Sequence, residues 1–153
     1  MATSRSLEEF SRRIQVRGRK IEENADNLVR KVALAADQAV VMGTPVDTGR
    51  AKSNWIAQIN SAPSDVIEAY VPGGEGWTAD DNEQAAMAQA EGIIRNYRYG
   101  DEIHITNNLP YIQRLNDGYS PQAGANFVEE AILEAAQIVQ YGRIVDDNVG
   151  GTV

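Results

Sequence analysis

Leu7, Phe10, Ile14, Ile21, Leu28, Val32 and Ala39 follow one another at intervals of three, four and seven residues. That spacing places them on one stripe of an α-helix. Ser6 followed by Glu9 fits a capping box, which predicts a helix start near Ser6. Run unbroken to Met42, the helix would measure roughly 55 Å at ~1.5 Å per residue. Gly18 is a candidate interruption, at a cost of ~1 kcal/mol relative to Ala. Such a length exceeds what a small domain needs to cover its own sheet. Two readings follow: a helix packed partly on its own core, or one that also packs on neighbouring subunits.

Gly43 and Pro45 end this pattern, and Val46-Asp47-Thr48-Gly49-Arg50 reads as a turn. Asp and Thr side chains bond nearby backbone N–H groups there, and Gly supplies positive φ. Trp55, Ala57 and Ile59 then alternate with Asn54, Ile56, Gln58 and Asn60, predicting a strand. Val66–Val71, bounded by Pro63 and Pro72, predicts a second strand, and the two would form a hairpin through Ser61–Asp65. Asp80–Asn82 offers N-caps for a helix with Ala86, Ala90, Ile93, Ile94 and Tyr97 on one face, closed by Gly100. Asp101–Asn107 reads as a strand with Ile103 and Ile105 inward and His104 and Thr106 outward. Asn126 with Glu129 gives a second capping-box signal. It opens a last amphipathic helix carrying Val128, Ala131, Ile132, Ala135, Ile138 and Val139. Tyr141–Val153 reads as a loose tail.

The chain has 153 residues, which predicts one domain, and 42% hydrophobic residues supply a core. It contains no cysteine and one histidine, His104. This composition excludes a disulfide scaffold, a thiolate nucleophile and Cys-ligated or multi-histidine metal centres within one chain, so no metal or cofactor is expected. No apolar run approaches the ~20 residues of a membrane span, and a soluble intracellular product without membrane contact is expected.

Charge is unevenly spread. Met1–Gly43 holds eight Lys/Arg and six Asp/Glu, whereas Thr44–Val153 holds six and 16, so a net of +2 faces a net of -10. The positive excess is one cluster, Arg12, Arg13, Arg17, Arg19 and Lys20, flanked by Glu8, Glu9, Glu22 and Glu23. It fits a solvated helix face, an acidic protein neighbour or nucleic acid. The overall charge of -8 argues against a dedicated sequence-reading DNA binder.

Catalytic patterns are weak. Ser53, His104 and Asp47 supply the residue types of a nucleophilic triad, but there is no G-x-S-x-G elbow. Pro72-Gly73-Gly74-Glu75-Gly76-Trp77 lacks the spacing of a phosphate loop, and Glu75 would repel phosphate. Trp77 is either tucked onto the core or exposed to a partner. Asp80-Asp81-Asn82-Glu83 lacks the alternating ligands and central Gly of a calcium loop. No enzyme activity is expected.

Two segments carry a resemblance. Thr44-Pro45-Val46-Asp47-Thr48-Gly49-Arg50-Ala51-Lys52-Ser53-Asn54-Trp55 resembles a signature of the tail-completion, or head–tail joining, proteins of tailed-phage necks, also known as minor tail components. Asn107-Asn108-Leu109-Pro110-Tyr111-Ile112-Gln113-Arg114-Leu115-Asn116-Asp117-Gly118-Tyr119-Ser120-Pro121-Gln122-Ala123 resembles that family's N-x-x-P-Y-A-x-x-L-x-x-G-x-S-x-Q-A stretch. Order and spacing of both match, and the likeness covers most of Ala33–Gln140. Gly124, where relatives often have Pro, and Ile112, in place of a small residue, depart from the pattern.

The resemblance implies an α+β fold, a small antiparallel β-sheet flanked by helices with a long N-terminal α-helix. It also implies a structural virion protein, made in the host bacterial cytoplasm. Such a protein forms a homo-oligomeric ring, expected to be a hexamer. The ring joins the head connector to the tail tube and lets genome DNA pass without sequence-specific binding. The alternative is a non-virion acidic adaptor. Candidate interface residues are Arg12, Arg13, Arg17, Arg19 and Lys20, together with Asp47, Thr48, Gly49, Arg50, Tyr111, Gln113, Arg114, Tyr119 and Gln122. Tyr and Arg are favoured interface anchors. For Asp47–Arg50 the competing reading is a self-contained turn, with an ion pair between Asp47 and Arg50.

Overall fold

The computed structural model describes residues 2–45, 47, 49–120 and 124–141. Helix α1 runs from Ala2 to Gly43, 42 residues without a break. It begins ahead of Ser6, so Ser6 and Glu9 lie inside the helix instead of capping it. Ala2–Arg5 contains no helix breaker, and the chain stays helical through Gly18 as well. Gly43 ends it, and Thr44 closes its last turn by donating from both its N–H and its Oγ1 to the Val40 carbonyl, at 3.1 and 2.6 Å. Trp55 Nε1 then donates to Thr44 Oγ1 at 2.8 Å, which pins the entry of the next segment to the helix end.

A short helix, α2 (Arg50–Ser53), stands where a turn leading straight into a strand was predicted. The strand β1 is therefore shorter, Ile56–Ile59. Helix α3 covers Ala79–Ile94, β2 covers Ile103–Thr106, α4 covers Ile112–Asn116 and α5 covers Phe127–Tyr141. Strands β1 and β2 pair antiparallel, with Ile56 opposite Thr106 and Ile59 opposite Ile103. The fold is α+β: a two-stranded antiparallel sheet flanked by helices, with the long helix at the N-terminus.

The predicted hairpin partner, Val66–Val71, is not a strand. Its backbone groups are taken by side chains instead. Asn54 Oδ1 accepts from Ile67 N–H, and Asn54 Nδ2 donates to Ile67 C=O, both at 2.8 Å. Asn82 treats Val71 in the same way, at 2.9 and 2.8 Å. Each amide presents one donor and one acceptor side by side, so it imitates a neighbouring strand at a single residue. Gln89 does so at the outer edge of β1, donating to Ala57 C=O and accepting from Ala57 N–H at 3.0 Å each. That side chain blunts an otherwise open edge.

The core has two parts. Val40, Val41, Trp55, Ala86, Phe127 and Ala131 form one cluster, joining α1, α3 and α5. Ala57, Ala90 and Ile94 form the other, closed by Ile103 and Ile105 of β2. Both isoleucines of β2 turn toward the core as predicted, but His104 and Thr106 are half-buried and not on an open outer face. Helix α3 starts after Thr78, so Asn82 sits inside it, fully buried, and is no cap. The helix stops at Ile94, before Gly100, which adopts φ +91 in the following turn.

The start of α5 also differs from the capping-box expectation. Asn126 has φ 66, and Asn116 from the end of α4 does the capping. Its carbonyl accepts from Asn126 N–H at 2.6 Å and its Oδ1 accepts from Val128 N–H at 2.9 Å. Its Nδ2 donates to Glu129 Oε2 at 2.9 Å, and this bond holds the Glu129 carboxyl below the usual range. The end of the predicted tail, residues 142–153, lies outside the described residues, while Tyr141 is the last residue of α5.

Candidate assembly surface

The first motif segment is built around Gly49. It has φ +80, and a Cβ there would overlap Asn82 Nδ2 and stand 2.8 Å from Asn82 Cγ. Only glycine fits this place. Asn82 uses its full capacity: Nδ2 also donates to Thr78 C=O at 2.8 Å, and Oδ1 also accepts from Ser53 Oγ at 2.8 Å. Ser53 Oγ in turn accepts from Tyr70 N–H at 3.2 Å. Asp47 reaches the glycine-rich loop, its carboxylate accepting from Glu75 N–H at 3.1 Å and its carbonyl from Gly76 N–H at 2.9 Å. Arg50 pairs with Glu68 at 3.3 Å and donates from Nε to Ile67 C=O at 3.4 Å. The segment is thus a self-bracing turn that fastens residues 67–76 to the end of α1.

Lys52 completes the brace from the other side. It is 3% exposed, and its Nζ donates to Val41 C=O at 2.9 Å, Met42 C=O at 3.1 Å and Glu83 Oε1 at 2.6 Å. An ammonium at the last carbonyls of a helix meets the negative end of its dipole.

The second motif segment packs against the first. Asn107 Nδ2 donates to Ala51 C=O at 2.9 Å, and Asn108 Nδ2 to Pro63 C=O at 2.7 Å. Leu109 is buried, and Ile112 and Leu115 turn toward the core, which leaves Tyr111, Gln113 and Arg114 on the outer face. Gly118 at φ +90 turns the chain so that Arg114 stacks over the Tyr119 ring, 5.4 Å from its centroid. Tyr111 lies within the field of Arg50 and Glu68. Burial raises its hydroxyl most, Arg50 opposes this and Glu68 adds to it. The two segments therefore share one surface, on which Tyr111, Gln113, Arg114 and Tyr119 are exposed. Thr48 and Gln122 lie outside the described residues.

The five cations of the N-terminal cluster are elsewhere. Residues 6–23 of α1 are exposed throughout, and only the second half of the helix packs on α3 and α5. Arg12 stands about 18 Å beyond the first half-buried position, Asn24, at ~1.5 Å per residue.

The catalytic triad types are not assembled. Ser53 and Asp47 hold backbone and amide groups, and His104 Nε2 lies 3.4 Å from Glu102 Oε2 on the sheet. Among the described residues no group of His, Asp and Glu could hold a metal ion, and no helix is long and apolar enough to cross a membrane. What the surface offers is contact chemistry. Tyr111, Tyr119 and Arg114 of the second segment are large side chains open to a partner, and elsewhere Trp77 and Tyr99 are 85% and 84% exposed.

Sequence reasoning missed Asn54, Asn82, Gln89 and Lys52, the residues that hold this surface in shape. It missed Asp37 too, which is 1% exposed with no partner for its Oδ1. An Asn or Lys in a polar-looking stretch gives no sign of burial; its role depends on which backbone groups the fold leaves unpaired.

No family model matches the chain, and no curated protein or solved structure matches it.

Proposed function

We propose that this chain is a structural subunit of the neck of a tailed bacteriophage. In this reading it is a non-catalytic virion protein, made in the host cytoplasm, that assembles as a hexameric ring. The ring joins the head connector to the tail tube or terminator, and genome DNA passes through its lumen. The observation that carries the reading is the pair of motif segments, Thr44–Trp55 and Asn107–Ala123, in the order and spacing of the joining family. Their placement side by side, with Tyr111, Arg114 and Tyr119 outward, is what an assembly protein would use.

Charge supports the same reading. A ring subunit makes head-to-tail contacts, so it needs two different complementary surfaces. The basic helix segment and the acidic remainder supply complementary charge, which favours encounter and register. The acidic excess would also keep DNA from adhering to a lumen wall.

The test is electron microscopy of lysates from the parent phage with this gene disrupted. Filled heads lying beside separate, complete tails are expected. Normal, infectious, fully tailed particles would reject the reading and favour an acidic adaptor, to be pursued by pull-down.

A further inference from the structure

Residues 6–23 of α1 form an arm that is exposed throughout, and Leu7, Phe10 and Ile14 stand on one stripe of it at 67%, 61% and 54% exposure. A continuous apolar stripe on an exposed helix marks a contact surface. Most helical stability in proteins comes from packing of an apolar face, and the stripe on this arm is open to such packing. The arm cannot fold back on its own body, because it is continuous with the packed half of the same unbroken helix.

The body carries a concavity suited to it. A groove of about 510 Å³ lies between the second half of α1 and α5. Its lining includes the small Ala35, Ala39, Gly43 and Ala131 beside the larger Met42 and Phe127, and it also carries Glu130 and Glu134. Both carboxylates are exposed, and among the described residues neither is in an ion pair. Arg13 and Arg17 flank the arm's stripe four residues apart, as Glu130 and Glu134 are on α5, so both pairs repeat at about 6 Å. Residues 10–21 of the arm hold five cations and no acid, against a net of -10 on the chain after Gly43.

We propose that the arm of one copy seats in the α1–α5 groove of a second copy. Phe10 and Ile14 lie over the groove's alanines, and Arg13 and Arg17 meet Glu130 and Glu134. The contact uses two different surfaces, so it propagates from copy to copy and closes wherever the rotation allows. It deepens the ring reading, on which it rests only for closure and copy number.

The test exchanges charges between the two surfaces. One variant carries Arg13→Glu and Arg17→Glu, the other Glu130→Arg and Glu134→Arg, and sedimentation velocity at low salt reads self-association. Wild type should associate, and each variant alone should associate at least about tenfold more weakly. An equimolar mixture should recover, because each acidic arm then finds a basic groove and each basic arm an acidic one. Recovery also demonstrates that both variants are folded. Wild type that stays monomeric would overturn the proposal, as would a Glu130→Arg/Glu134→Arg protein that associates normally or a mixture that fails to recover. Gene disruption separates the two readings: failed joining in the phage with normal association of the groove variant would retain the neck function and discard this contact.

Discussion

Asp37 offers a direct test of the packing of α1 on the body. It lies in the core-facing part of the helix, 1% exposed, and burial pushes its carboxyl from 3.8 up to about 7. The unfolded chain releases this proton near 3.8, whereas the fold keeps it until about 7. Within that window the native state binds more protons than the unfolded state, so stability falls as pH rises and levels off above 7. At ~1.4 kcal/mol per pH unit the full loss is about 4 kcal/mol, of which roughly 2 kcal/mol falls between pH 5.5 and 8. The carboxylate also acts on Tyr70, whose hydroxyl is raised by its own burial and further by the Asp37 charge. Asp37→Asn keeps the shape and removes the titration. Thermal unfolding followed by circular dichroism at pH 5.5 and 8 should show the variant gaining on wild type by about 2 kcal/mol across that interval, some 5 °C in Tm. The constant offset from placing an amide in the site cancels in that difference. A gap between the two proteins that is the same at both pH values would refute the reasoning and mean that Asp37 ionises freely in the fold.

Gly49→Ala should prevent stable folding, because the αL backbone costs ~1–2 kcal/mol and the methyl also overlaps Asn82; soluble yield and a urea melt check this. Asn82→Ala strands the Val71 N–H and C=O and the Ser53 hydroxyl, at ~1–3 kcal/mol each, so a loss of at least ~3 kcal/mol is expected by chemical denaturation. Glu83→Gln leaves the Lys52 ammonium without its carboxylate and should cost ~3–5 kcal/mol, whereas replacing Lys52 by Met together with Glu83 by Gln should cost less than Glu83→Gln alone. Asn116→Ala should cost ~1–2 kcal/mol and raise amide exchange in the first turn of α5, leaving β1 and β2 protected.

The elements that were legible in the chain are those whose signal is local and repeated. The stripe from Leu7 to Ala39 is visible because helical periodicity depends only on spacing, and Ile103 with Ile105 is visible because strand alternation does too. The same locality produced the errors. Val66–Val71 has the composition of a strand, but a strand exists only when another backbone lies beside it, and here Asn54 and Asn82 occupy that position. Ser6–Glu9 and Asn126–Glu129 satisfy the capping-box pattern, yet a cap is needed only where backbone donors are otherwise unpaired. At α1 the helix had already begun at Ala2, and at α5 the donors were met by Asn116, ten residues before Asn126 in the chain. Asp47 and Arg50 are close enough in sequence to suggest an ion pair, but the fold gives Arg50 to Glu68 and Asp47 to the backbone at Glu75. The candidate surface shows the same division. Tyr111, Gln113, Arg114 and Tyr119 stand out by residue type, but their exposure follows from a short helix, α4, not predicted from the sequence, with Leu109, Ile112 and Leu115 turned toward the core. Gly49 was chosen for its place in a motif, but its necessity comes from Asn82, 33 positions away. What holds the surface in shape is therefore a set of buried amides matched to particular unpaired backbone groups, and that match is a property of the folded chain alone.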